Sequence, residues 1–146
     1  MITIRLWHKD FIKVLPREQL VAAWRELSAI AGAIQKNGTP NHLLVNFVLD
    51  YDFDHFISYA YYIREEMTKR GYRTMDSVWN KIVALKPQYT LLPFNDVYPN
   101  KMNGPPGFEY LTICLFNLKE KYLCGGISEQ DWKNIEQIYI KTSKWR

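Results

Sequence analysis

The chain has 146 residues, 47% hydrophobic and 23% charged, with a formal net charge of +4 and a pI of about 9.0. This excludes a disordered tail and suits a globular chain, expected to form one domain over residues 1–146 with a core that needs no staples. No run approaches 18 apolar residues, and Met1-Ile2-Thr3-Ile4-Arg5 lacks the basic and then apolar regions of a secretory signal, so neither a membrane span nor export is expected.

Two cysteines, Cys114 and Cys124, make neither a disulfide framework nor a four-ligand zinc site, and read as reduced packing residues. Charge is unevenly spread: residues 1–36 carry +3, residues 37–63 carry −3 without a Lys or Arg, and residues 64–146 carry +4. Basic ends around an acidic middle suit a polyanionic partner, or simply a soluble surface.

In chain order, Pro16 opens and Asn37-Gly38-Thr39-Pro40 closes a strong amphipathic helix. Leu20, Trp24, Leu27, Ala31 and Ile34 recur along it at helical spacing. The run Leu43 to Leu49 is apolar except for Asn46, and reads equally as strand or buried helix. A second helix is predicted from about Asp52 to Arg70, with Phe53, Phe56, Ala60, Ile63 and Met67 as its stripe and Gly71 as its stop. Met75 to Leu85 reads as a short helix ended by Pro87. Residues 87–107 hold five prolines and read as one long irregular loop. A third long helix fits Phe108 to Leu123, and Ser128-Glu129-Gln130-Asp131 looks like a capping box opening a fourth. The predicted architecture is mainly α: a compact single domain of about three to five helices with a long Pro-rich loop.

Few local motifs carry chemistry. Asp50, Asp52 and Asp54 alternate as in a calcium loop, but His55 and Tyr61 stand where such a loop needs Gly and Glu, so helix capping is the preferred reading. His8, His42 and His55 are too dispersed for a ligand set, and no phosphate loop or zinc-protease motif occurs, so no metal or cofactor is expected. The first helix is more informative. Ala22, Glu26, Ala29 and Ala33 share one face, and Arg25, Ala29, Gly32 and Lys36 form the adjoining stripe. A lone carboxylate among Ala and Gly leaves room for close approach, by another helix or by a ligand backbone.

The segments Trp24-Arg25-Glu26-Leu27 and Ile30-Ala31-Gly32-Ala33-Ile34-Gln35-Lys36 resemble the first helix of the pyrimidine-dimer DNA glycosylases, the phage endonuclease V type. Lys69-Arg70-Gly71-Tyr72 is similar to the ending of that family's second helix, and Arg5-Leu6-Trp7-His8 to the opening of its less characterised bacterial branch. The resemblance covers about residues 3–75. It implies an all-helical DNA-repair fold without a metal, acting as a monomer on damaged double-stranded DNA, in the cytoplasm at the nucleoid or in a host cell if viral. It further implies a flipped nucleotide and two activities, DNA glycosylase and AP lyase. In that mechanism the N-terminal amine attacks the sugar C1′, forms a Schiff base, and β-elimination nicks the strand.

Carried onto this chain, the resemblance makes Glu26 the catalytic carboxylate and Met1, or Thr3 after processing, the source of the amine. It places Arg5 and Arg25 on DNA, with Lys36, Lys69 and Arg70 as further DNA-binding candidates, and leaves Tyr139 and Trp145 as loose candidates for a lesion contact. Ala29 stands where the family carries a further Arg. An α-amine suits this role: its pKa is about 7.7–8.0 against about 10.4 for Lys, so about a tenth of it is neutral at pH 7. The rival readings are a non-catalytic helical DNA-binding module of the same fold, and a protein-interaction domain whose Ala/Gly stripe packs a partner helix.

Overall fold

The computed structural model describes residues 5–144 and contains only helices and loops among them. Its helices are α1 (Arg17–Asn37), α2 (Phe53–Lys69), α3 (Asp76–Val83), α4 (Pro99–Met102), α5 (Gly104–Leu123) and α6 (Glu129–Ser143), with 3-10 helices at Lys9–Val14, Asn46–Asp50 and Phe94–Asp96. Five of the α-helices reach eight residues or more, the upper end of the number the periodicity predicts. The chain forms two compact units, residues 5–6 with 20–97 and residues 7–19 with 98–144.

In the first unit, α1 buries Leu20, Trp24, Leu27, Ile30, Ala31 and Ile34, the stripe predicted from spacing. Asp52 caps α2 by accepting the Asp54 N–H at 2.9 Å, as its place before the apolar run implies. Phe56, Ala60, Ile63 and Met67 are buried along α2. The helix ends in a Schellman turn: Gly71 takes φ +80°, and the Tyr72 N–H reaches the Met67 carbonyl at 2.8 Å. The undecided run after α1 is neither strand nor long helix. It is a turn followed by the 3-10 helix, whose spacing of three buries Val45 and Val48 and leaves Leu43, Leu44 and Leu49 outside.

Polar bonds strap the segment after α3 along α2. The Lys86 ammonium bridges Asp52 and Asp54 at 2.8 and 3.0 Å, and the Thr90 N–H donates to Asp54 at 2.8 Å. The Leu92 N–H donates to the Ser58 hydroxyl at 2.8 Å, and the Tyr62 hydroxyl to the Leu92 carbonyl at 2.7 Å. Part of the acidic middle is thus an anchor. Arg64 joins the helices: its guanidinium bonds Thr74 and Asp76 and lies 5.5 Å from the Trp79 ring and 6.0 Å from the Trp24 ring.

In the second unit, α5 packs on α4 and α6, and the 3-10 helix Lys9–Val14 packs on α6. His8 is buried and caps that 3-10 helix, its Nδ1 accepting the Asp10 N–H at 3.1 Å. The His8 N–H donates to Cys114 Sγ and the Lys9 N–H to Met102 Sδ, both at 3.4 Å. Burial, with Lys9 alongside, holds the His8 imidazole neutral, its pKa pushed down to about 3. Burial pushes the Asp10 carboxyl the other way, up, against the nearby Lys9.

The expected long loop at 87–107 is much reduced. Pro99 opens α4, and Pro105 and Pro106 lie in the first turn of α5, which begins at Gly104 rather than Phe108. Proline lacks the N–H that a first turn leaves unpaired and has the φ that turn needs. Proline density here marks helix starts.

Candidate functional site

The candidate residues on α1 can be placed by helix geometry. With about 100° per residue, Arg25 and Lys36 fall about 20° apart, roughly 16 Å along the axis. Both are exposed, as is Ala29 between them. Ala22 and Ala33 follow at about 60° and 80° from Arg25, and Glu26 at about 100°, where the outer face meets the buried one. All three are half-buried. The small side chains therefore leave an uncluttered surface between the two cations and the carboxylate.

At that border, the backbone N–H of Arg5 donates to Glu26 Oε2 at 3.3 Å across 21 residues. The bond is longer than the ordinary 2.7–3.2 Å, so its own strength is modest. Its geometric content is larger: it brings the chain's N-terminal segment to the one carboxylate of α1's central turns. Met1 and Thr3 lie outside the described residues, as does Trp145.

On the opposite border of the same face, about 20° to 60° from Arg25, lie Gly32 and Ser28. Here α3 approaches. The Lys81 Nζ donates to Ser28 Oγ at 3.4 Å, and the Gln35 side-chain amide donates to the Lys81 carbonyl at 2.8 Å. A Cβ on Gly32 would stand 2.8 Å from Lys81 Nζ and 2.9 Å from its Cε. A side chain at this position would thus push the end of the lysine aside. Of the two approaches left open by the sequence, another helix is what meets Gly32, through a lysine. Sequence reasoning missed Lys81. The glycine inside a strong helix was the signal that something comes close, but nothing local says that the visitor lies 53 residues from Ser28.

The remaining candidates divide. Lys69 is exposed in the last turn of α2, where a cation also complements the helix dipole. Arg70 is half-buried and its Nε pairs with Glu66 at 2.8 Å, so it is already engaged within its own helix end. Tyr139 is half-buried, its hydroxyl 3.0 Å from that of Thr112. The structure brings Arg5 and Glu26 together and sets Arg25 and Lys36 on one face. Lys69 and Arg70 stand apart in sequence at the end of α2, where Arg70 pairs with Glu66. Among the described residues, no three His, Cys, Asp or Glu side chains gather as metal ligands would, and no helix is long and apolar enough to cross a membrane.

The chain belongs to the pyrimidine dimer DNA glycosylase family, whose profile matches residues 4–80. The match takes in the Arg5 segment, α1, α2 and the first five residues of α3, and ends one residue before Lys81. No curated protein and no solved structure matches the chain significantly.

Proposed function

We propose that this protein is a DNA glycosylase with AP-lyase activity, acting as a monomer on damaged double-stranded DNA through an N-terminal amine and Glu26. The observation that carries the reading is the bond from the Arg5 N–H to the Glu26 carboxylate. An amine four residues before Arg5 is tethered within about 14 Å of it at the full reach of about 3.5 Å per residue. Family membership supplies the reaction class.

In this reading the neutral amine of Met1, or of Thr3 after processing, adds its lone pair to C1′ of the flipped nucleotide. The glycosidic bond breaks, and its electron pair leaves with the base. The amine then loses a proton as the C1′=N bond forms and the sugar ring opens. Removal of a C2′ proton expels the 3′ phosphate and nicks the strand. Glu26 stabilises the positive charge that develops at the sugar and moves protons between these steps. Arg5 and Arg25 hold the flanking phosphates, and Ala22, Ala29 and Ala33 let the sugar-phosphate backbone come close. Lys36 extends the phosphate track, with Lys69 and Arg70 as a second, outlying contact.

The test is borohydride trapping on abasic-site duplex DNA, with the N-terminus identified by intact mass. A covalent adduct is expected with the free amine and none with a chemically blocked amine on a folded protein. DNA binding without any adduct would replace this reading with the non-catalytic DNA-binding module. Equal trapping by blocked and free protein would move the nucleophile to an internal lysine.

A further inference from the structure

We infer that Lys81, seated on α1 by Gly32, is a DNA-phosphate contact that completes a cationic face with Arg25 and Lys36. The inference rests on the DNA-glycosylase reading and adds a residue from α3 to it. Three observations carry it. First, the Lys81 ammonium lies against the bare backbone at Gly32, where a Cβ would stand 2.8 Å from it and shift it outward. Second, among the described residues no carboxylate pairs with Lys81, Arg25 or Lys36; the ion pairs formed by Arg64, Arg70, Lys86 and Lys133 lie elsewhere. Third, the partner it does have, Ser28 Oγ at 3.4 Å, is neutral and distant, leaving its charge unneutralised.

An ammonium has three N–H donors and no acceptor. A lysine placed only to pack would lay its methylenes on the helix and send its charge to water or to an acid. Here the charged end itself lies beside α1, while the Gln35 amide holds the Lys81 backbone at 2.8 Å. The outer face of α1 then has Lys81 along one border, Arg25 and Lys36 down its middle, and Glu26 with the Arg5 segment along the other. A phosphate backbone running along this face meets three cations before it reaches the carboxylate. Gly32 costs helix stability relative to Ala, and its return is the position of this charge.

The test uses the full chain and a duplex carrying one reduced abasic site, with affinity measured against salt. Lys81→Met keeps the methylenes and removes the charge; Gly32→Ala keeps the charge and displaces it. Lys81→Met is expected to lower the log–log salt slope by about one unit, the signature of one lost phosphate contact, and Gly32→Ala, which only shifts the lysine end, to lower it by less. Gly32→Ala is expected to raise the thermal midpoint while weakening DNA binding. The double variant is expected to bind no worse than Lys81→Met alone, because both changes act on the same contact. An unchanged slope for Lys81→Met, in a wild type that binds with salt dependence and traps abasic DNA, overturns the inference and leaves the glycosylase reading intact. A Gly32→Ala protein with the wild-type slope overturns the seating role of the glycine. Wild-type binding that ignores salt, with no trapping, overturns the glycosylase reading itself.

Discussion

Glu26→Gln separates a catalytic carboxylate from a structural one. The amide has the carboxylate's shape, and its oxygen still accepts the Arg5 N–H that now reaches Glu26 at 3.3 Å. That bond is long, and a neutral replacement keeps most of it, so the loss of stability through this bond is expected to stay within about 1 kcal/mol. For a chain of this size that is a thermal midpoint shift of no more than about 4 °C. The chemical loss is of another order. General acid–base help is typically worth about 10²–10⁴-fold, and a hundredfold loss alone is about 2.7 kcal/mol of barrier. Single-turnover nicking of abasic duplex should therefore fall at least about a hundredfold. Affinity for the same duplex should hold or rise, since a negative charge beside phosphate is gone. A carboxylate buried to pair with a cation predicts the reverse, a loss of about 3–5 kcal/mol of stability with activity falling only in proportion. A markedly less stable Glu26→Gln protein with near-normal nicking per folded molecule would refute the catalytic assignment.

Other outcomes follow from the same geometry. Arg25→Ala and Lys36→Ala should each lower the salt slope of DNA binding by about one unit, because both cations are exposed on one face of α1; titrations at several salt concentrations check this. Acid should destabilise the fold through His8, whose pKa is about 3 in the folded chain against 6.5 as its ordinary value. The unfolded chain takes up that proton first, so stability falls as pH drops below about 6.5, by about 1.4 kcal/mol per unit until about pH 3. Asp10, raised by burial, works in the opposite sense, its contribution present at low pH and lost as pH rises through its folded pKa. Urea midpoints at several pH values should thus fall towards acid, and His8→Asn, which keeps a cap acceptor, should flatten that dependence. Gly107→Ala should cost about 1–3 kcal/mol in urea unfolding, since its Cβ would stand 2.6 Å from the Met102 carbonyl carbon and 2.9 Å from its Cα, backbone atoms with little freedom to yield.

What the sequence made legible follows from which signals are local. The α1 and α2 stripes, the Asp52 cap, the Gly71 turn and the Ser128 cap, which accepts the Asp131 N–H at 3.1 Å, each depend on residues within a few positions of one another. The 3-10 helix at Lys9–Val14 carries little local signal because its period of three is short and its cap is a histidine, which is not among the usual capping residues. Residues 87–107 differ from the expected loop because proline signals both a loop and a helix start, and only the helix that follows decides between them. At the site, Glu26 and Arg25 were visible as a pattern on one helix. The bond from Arg5 to Glu26 and the seat of Lys81 on Gly32 span 21 and 49 residues, and no local spacing encodes them.

The contacts of the second unit also bear on how the protein is made. The His8 N–H meets Cys114, 106 residues further on, and the Lys9 N–H meets Met102, 93 residues further on. A ribosome adding about 5–20 residues per second therefore needs about 5–20 s between the two halves of such a pair. Throughout that interval Phe11 and Ile12, fully or nearly buried in the finished chain, have none of the residues of α6 to pack on. The segment that connects Leu6 to Leu20 is thus made well before α6 and settles only after it. Binding by a holdase chaperone to nascent chains should concentrate on this early apolar stretch and end only when α6 has emerged.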